Sequence, residues 1–335
     1  MTKEVGGLPI GTTAGSLKDY NLIELLDRIL FPTAYPTYIV PTISVTSSVT
    51  GIIEIGAPLG NPNISVSASK KDAGDFTSLT SLKKVNSGTY ITLGTTNSPT
   101  VTTGSALPSQ FGYADPNSPD KQFNFGTFDV GVTMPAPLSG QTSSAVYYKG
   151  RGNYNAGLPI NDSTGTPDTR TPDIRQTNRP QQAANNFESS EISLTGYYPY
   201  FWGWVDDTDA TPNAAQIQNA INNFDPVFPG GNILSNVANG AGQISMAFNV
   251  TSKKLWFAFD ANYTAKTYWG EQGNNLNGGR IGINTNPPDF FGAPISLPCD
   301  SVSGYWTNIN YNIYIQAAGT LTSITVMKVS PTVIT

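Results

Sequence analysis

The stretch Leu194-Thr-Gly-Tyr-Tyr-Pro-Tyr-Phe-Trp-Gly-Trp204 decides how the rest of the chain is divided. It concentrates aromatic side chains in a protein whose other segments are mostly Thr, Ser, Asn and Gly. The residues before it indicate an N-terminal helix, a first β-domain and a polar connector. The residues after it indicate one larger β-domain. We therefore interpret the aromatic run as the first strand and packing nucleus of the C-terminal half.

The composition favours a mostly β protein. Charged residues make up only 12% of the 335 residues, about half the usual share. Aromatic residues reach 11%, which is unlike a disordered chain, since disorder goes with high net charge and few aromatics. The 33 Gly and 25 Pro residues supply the turns that many short strands require.

Several classes of function are excluded by what the chain lacks. It contains no histidine and one cysteine, so His-based triads, Cys-His dyads and His-containing zinc sites are impossible. The net charge of −5 makes nucleic acid a poor partner. No apolar run approaches the roughly 18 residues of a membrane span. We expect no enzyme activity and no cofactor.

The clearest helix of the sequence begins near Asp19, which can cap it, and ends at Pro32. Its apolar positions follow a period of 3.6 residues and form one broad stripe that must be buried against a partner. We assign residues 1–41 to an anchoring or oligomerising segment. An ordinary helix packed on its own sheet is the alternative. The apolar positions are Leu22, Ile23, Leu25, Leu26, Ile29, Leu30 and Phe31.

Residues 42–149 predict an Ig-like β-sandwich, because short alternating segments follow one another with Gly/Pro turns and no convincing helix. In Asn63-Ile-Ser-Val-Ser-Ala68, for example, every second residue is apolar. The proline-rich stretch 31–42 predicts a semi-rigid spacer in front of it. Residues 150–186 predict an extended connector, either a solvated linker or an arm held by neighbouring subunits.

Residues 187–335 predict a second β-domain, a sandwich or jelly-roll-like unit with one short helix. Pro212 lies at the first position of that helix, after the cap Thr211, and Ile217, Ile221 and Phe224 lie on one face. The last two predicted strands, 309–317 and 321–329, are expected to form a hairpin around Ala318-Gly-Thr320.

Acidic residues offer only weak candidates for chemistry. Asp206, Asp207 and Asp209 are the densest acidic cluster and the weak candidates for a Ca²⁺ site, although a solvated loop is the better interpretation. Two carboxylate pairs have the residue types of a glycosidase. They are Glu188 with Glu191, and Asp260 with Glu271. Cys299, next to Pro298, is interpreted as an inert buried thiol.

Aromatic residues offer a possible surface for sugars. Most of them fill a core in a β-protein, and we expect this for Phe201 and Trp256. Trp269, Tyr305 and Trp306 lie in Gly/Asn-rich surroundings and are the candidates for contact with a glycan.

Two motifs resemble virion appendage proteins of tailed bacteriophages, of the fibre or spike type found in crAss-like phages. The first is Ile10-Gly-Thr-Thr-Ala-Gly-Ser-Leu-Lys18 with Leu22-Ile-Glu-Leu-Leu-Asp-Arg-Ile-Leu-Phe-Pro32. The second is Ser193-Leu-Thr-Gly-Tyr-Tyr-Pro-Tyr-Phe-Trp-Gly203, followed by Lys254-Leu-Trp-Phe-Ala-Phe259. The resemblance implies a structural role in the virion and no catalytic residues.

The resemblance implies a component of an appendage on the head, collar or tail, attached by its N-terminal segment to other virion proteins. By analogy with fibres, the expected oligomer is a homotrimer. A carbohydrate-binding adhesin module that contacts a glycan of the host surface is the alternative function.

Overall fold

The computed structural model describes residues 33–174, 176–206, 214–223, 231–233, 244–250, 253–271, 280–281, 293–301, 303–315 and 324–333. Within these residues the chain is mostly β with one short helix, which confirms the fold class expected from the sequence. The N-terminal strands are β1 (Thr42–Ser47), β2 (Ile52–Glu54), β3 (Asn63–Ser69), β4 (Phe76–Val85), β5 (Ile91–Thr96), β6 (Thr100–Thr103), β7 (Lys121–Phe128), β8 (Ser144–Tyr154), β9 (Ala184–Glu188) and β10 (Ile192–Tyr197).

These ten strands form two sheets that face each other. One has the order β1-β3-β7-β6, and the other has the order β2-β10-β8-β4-β5 with β9 paired to β8. Alternation along β3 and β8 puts one side of each strand into the shared core. The sheets approach closely at Gly150, where an added Cβ would lie 2.8 Å from the side chain of Val66. We call this pair of sheets the first unit.

The C-terminal strands form two further sheets, which we call the second unit. Their bounds are β11 (Pro199–Asp206), β12 (Gly231–Ile233), β13 (Ile244–Val250), β14 (Lys253–Asp260), β15 (Tyr263–Glu271), β16 (Arg280–Ile281), β17 (Ile295–Cys299), β18 (Ile309–Ile315) and β19 (Ile324–Val333). The sheet orders are β12-β11-β14-β18-β17 and β13-β19-β15-β16.

The short helix α1 (Ala214–Asn223) belongs to the second unit and lies against β17. Ile217 and Ile221 are buried, so the predicted apolar face is found. The cap Thr211, Pro212 and the third apolar position Phe224 lie outside the described residues.

The aromatic run is divided between the two units. Its first part belongs to β10, which pairs antiparallel with β8 and parallel with β2 in the first unit. Its second part is β11, which pairs with β14 and β12 in the second unit. The second unit therefore begins at β11 and not at residue 187, where the sequence placed the boundary. The sequence did not indicate this, because it does not show that β8 has an open edge with which β10 can pair.

The expected hairpin of the last two strands is wrong. β18 pairs with β14 and β17, whereas β19 pairs with β13 and β15. Both strands are present, but the pattern of a strand does not identify its partner. The residues between them, 316–323, lie outside the described part of the chain.

The predicted connector is shorter than expected and packs on the first unit. β8 extends to Tyr154 and β9 begins at Ala184, which leaves residues 155–183 as an irregular segment that we call the arm. Ile160 and Gln181 of the arm are buried. The backbone N–H of Ile160 donates to the hydroxyl of Tyr38 at 2.9 Å. The arm is therefore held by its own chain, and the expectation of a solvated linker is wrong. Contact of the arm with neighbouring subunits stays a prediction.

The proline-rich stretch also belongs to the first unit. Tyr38 is fully buried, and its backbone N–H donates to the carbonyl of Thr177 in the arm. The guanidinium of Arg170 lies 4.2 Å from the centre of the Tyr35 ring and forms an ion pair with buried Asp168. Residues 33–41 are thus packed against the arm instead of acting as a free spacer.

Candidate functional site

Trp306 is a structural residue at the contact between the two units. It is 6% exposed, stacks on Tyr311 at 5.6 Å between ring centres, and meets the edge of Tyr198 at 5.7 Å. Its indole N–H donates to a carboxylate oxygen of Glu54 in β2 at 2.8 Å. Trp306 cannot contact a glycan from this position, and its expected role is wrong. Its Gly/Asn-rich neighbours indicated a surface loop, but the second unit folds this loop onto β2.

The other two aromatic candidates lie in different parts of the second unit. Tyr305 is 39% exposed, in the loop between β17 and β18. Its backbone carbonyl lies against Gly56, where a Cβ would overlap it and where the positive φ of 81° also favours glycine. Trp269 lies in β15 opposite Lys328, and its side chain is outside the described part. Their glycan contacts stay predictions.

Glu188 and Glu191 are both held in ion pairs on the exposed side of the larger sheet of the first unit. Glu188 pairs with Lys149 at 2.9 Å and Arg151 at 2.7 Å. Glu191 accepts from the hydroxyl of Tyr90 at 2.5 Å and pairs with Lys84. These hydrogen bonds lower the pKa of both carboxyls. A glycosidase needs one carboxyl with a raised pKa as general acid, so this pair is unsuited to the reaction.

Asp260 and Glu271 do not form a pair either. Asp260 ends β14 and is 1% exposed. Burial raises its pKa to about 6, against two hydrogen bonds from Asn262. Glu271 ends β15, which begins at Tyr263 and leads away from Asp260. At about 3.3 Å per residue, β15 carries Glu271 roughly 26 Å from Tyr263. Because Asp260 lies only three residues before Tyr263, Asp260 and Glu271 are too far apart for the spacing of a glycosidase.

The remaining sequence candidates are placed only in part. Asp206 ends β11, while Asp207 and Asp209 lie outside the described residues, as do the apolar positions of the N-terminal helix. In the described part no group of three or more acidic or cysteine side chains could hold a metal ion. Cys299 is buried and burial raises its pKa to about 12, which fits an unreactive thiol.

A pair of buried carboxyls was not found from the sequence. Asp72 and Asp115 are 0% and 6% exposed. One oxygen of Asp72 accepts from the backbone N–H of Ile39 at 2.5 Å, and one oxygen of Asp115 accepts from that of Asn117. The other two oxygens have no protein donor in the described part, and the neighbouring carboxyl of Asp115 helps to raise the pKa of Asp72. Asp72 therefore holds a proton more readily than an exposed carboxyl does.

The surroundings of Asp72 favour its neutral, protonated form. Burial, reinforced by Asp115, raises the pKa of Asp72 to about 7. Lys70 opposes this shift, and burial lowers its own pKa. The backbone N–H of Ile39 donates to the carboxylate of Asp72, and the backbone N–H of Asp72 donates to the carbonyl of Ile39, so Asp72 fixes the stretch that enters β1. In the sequence, Asp72 lies in the short polar segment Lys70-Lys-Asp-Ala73. Nothing in this segment predicts that Asp72 is buried beside Ile39 and Asp115.

A second feature that the sequence did not indicate is a polar groove on the smaller sheet of the first unit. The inner face of this sheet carries buried Ile64, Val66, Ala68 and Phe123. Its outer face carries hydroxyl and amide side chains, with Gly126 in the middle of β7. A groove of about 570 Å³ lies over Gly126. It is lined by Ser65, Ser67, Thr96, Ser98, Thr100 and Asn124, with Pro99 and Phe125.

Comparison with known proteins adds no family, since no protein family, curated protein or solved structure matches this chain. Among the described residues, no helix is long and apolar enough to cross a membrane.

Proposed function

We propose that the chain is a non-enzymatic structural protein of a phage virion, a component of a fibre, spike or other appendage. The observation that carries the proposal is the joint between the two units. Glu54 of the first unit binds Trp306 of the second, and Gly56 admits the backbone of Tyr305. Aromatic and acidic groups that would suit recognition or catalysis are used here to join two β-units.

The N-terminal segment is proposed as the attachment point to other virion proteins and to copies of the same chain. The motifs at Ile10–Lys18 and Leu22–Pro32 support this assignment, because an apolar stripe as wide as that of the second motif must be covered in water. The structure describes the chain from residue 33, where it is packed against the arm. A homotrimer is the proposed oligomer.

The test is the mass in solution of the full chain, of L26D/I29D and of a chain beginning at Thr33. We expect both changes to reduce an oligomer to a monomer with folded β-units, because charges cannot be buried in an apolar contact without a large cost. Truncation at Thr33 keeps Tyr38, which a cut at Thr42 would remove. S16A is the matched control in the same segment. An unchanged mass in both altered chains would refute the attachment role.

The virion assignment has its own test. We expect the chain to be present in purified phage particles at a fixed copy number, and antibodies against it to label one appendage in electron micrographs. Absence from particles made by cells that produce the protein would overturn the assignment.

The alternative is a carbohydrate-binding module of an adhesin. The specific observation that supports it is the polar groove over Gly126, since the burial of Trp306 removes one of the three aromatic candidates.

A further inference from the structure

The groove over Gly126 is built from groups that both donate and accept hydrogen bonds. The residue pairs Ser67–Asn124 and Asn124–Thr100 lie side by side on three neighbouring strands. The hydroxyl of Ser67 donates to the amide oxygen of Asn124 at 2.8 Å. This bond uses the acceptor of the amide, so that its NH₂ group is the donor offered to a ligand.

The groove is also electrically neutral. Hydroxyl, amide, Pro and Phe groups line it, and no charged side chain is among its lining residues in the described part. On the neighbouring strand the same face continues with Ser44 and Thr46, both exposed. A ligand complementary to this surface carries many hydroxyl groups and no net charge, because a bare charge would meet no partner here.

The shape of the groove depends on Gly126. Ser65 lies directly opposite it on β3, and an added Cβ at Gly126 would lie 3.3 Å from the side-chain oxygen of Asn63. Because Gly126 has no side chain, the bottom of the groove stays open to a ligand. The volume of about 570 Å³ lies within the usual range for small-molecule sites, about 300–1,000 Å³.

An exposed aromatic ring lies on the same face. Phe128 is two residues beyond Gly126 on β7, so that alternation places both on the outer side. Its partner on β3 is Asn63. The side chain is 62% exposed. A ring beside a row of hydroxyl and amide groups offers an apolar surface and hydrogen bonds together, which is the combination that a sugar ring requires.

From this arrangement we propose that the outer face of the smaller sheet around Gly126 binds a neutral oligosaccharide. Asn124, Ser65 and Ser67 hydrogen-bond its hydroxyl groups, and the ring of Phe128 packs on the apolar face of one sugar. The site lies on the first unit, away from Trp306, and is independent of the structural role proposed above.

The test is binding of the full chain to an array of neutral and charged oligosaccharides, followed by titration of the neutral trisaccharides that bind. We expect the Kd to rise at least tenfold in N124A and in F128A, and binding to be lost in G126V, whose side chain fills the groove. F111A is the matched aromatic control, because Phe111 is an exposed ring of the first unit outside the groove lining, and it should leave the Kd unchanged. The affinity should not change between low and high salt, since the ligand is neutral.

Four results would overturn the proposal. Three concern binding: no binding by the folded chain, binding that none of the three groove variants weakens, and binding confined to charged sugars. The fourth is a lower oligomer mass in F128A, which would show that the face is a contact between copies. The thermal unfolding midpoint of each variant confirms that it is folded. The solution mass of L26D/I29D does not depend on this face. A failure of oligosaccharide binding can therefore be distinguished from a failure of the proposed attachment role.

Discussion

Asp72 shows how one residue couples pH to the packing of the N-terminal stretch. Its carboxyl is buried, accepts a hydrogen bond from the backbone N–H of Ile39 and lies beside Asp115, which helps to raise its pKa. The native pKa of about 7 is above the unfolded value of about 4, so the native state binds more protons between these values. The contribution of Asp72 to the free energy of unfolding should therefore be greatest below pH 4 and fall as the pH rises to 7.

D115N tests this coupling. Asp115 is one of the groups that raise the pKa of Asp72, so we expect the slope between pH 4 and pH 7 to become shallower and stability at pH 8 to rise, by about 1.4 kcal/mol for each unit by which the pKa of Asp72 falls. Burial still raises that pKa, so part of the slope remains. Urea unfolding at four pH values measures it. D75N is the control, because Asp75 is half exposed and paired with Lys121. An unchanged slope in D115N would contradict the contribution of Asp115.

The arm is the element whose packing the structure changed most from expectation. Residues 155–183 lack periodicity, yet buried Ile160, Asp168 and Gln181 tie them to the first unit. The hydroxyl of Tyr38 accepts the N–H of Ile160, and burial raises the pKa of Tyr38 to about 12. The tyrosine is therefore neutral and available as an acceptor across the physiological range.

Y38F is expected to loosen the arm. It leaves the buried N–H of Ile160 without its acceptor, which costs about 1–3 kcal/mol. Trypsin should then cut faster after Arg170, and urea unfolding should shift to lower concentration. Y147F is the control, since Tyr147 is half-buried on the outer side of the larger sheet. Equal cleavage rates in the two variants would show that the hydrogen bond does not hold the arm.

At the scale of the whole molecule, the joint between the units decides how they unfold. Trp306 packs against Tyr198 and Tyr311 and binds Glu54. Because this side chain links both units, we expect the full chain to unfold in one calorimetric transition.

W306A should separate that transition into two. Removal of a buried Trp side chain costs about 3–5 kcal/mol, and the loss falls on the contact between the units. Differential scanning calorimetry measures the change, with Y305A as the control for the neighbouring exposed ring. A single transition at a lower temperature in W306A would mean that other contacts couple the units.

The sequence predicted elements better than their partners. Alternation identified β3, and helical spacing identified the buried face of α1, since the geometry of one strand or helix decides which side is apolar. It failed where a partner distant in sequence decided the outcome. β10 joined the first unit through β8, and Trp306 was buried by β2.

The candidate site was less predictable than the fold. Nothing local distinguishes Ser65, Ser67, Asn124 and Gly126 from the many other small polar residues of the chain. They form a groove because the register of β3 and β7 places them side by side, and register depends on the whole sheet.

The sequence by itself determined a mostly β protein, an unreactive cysteine and no histidine chemistry, because these follow from composition and local periodicity. The tertiary structure alone decided the division of the aromatic run, the attachment of the arm, the raised pKa of Asp72 and the groove over Gly126. Each of these depends on contacts between residues far apart in the chain, and local sequence carries no record of which distant residue will cover a given side chain.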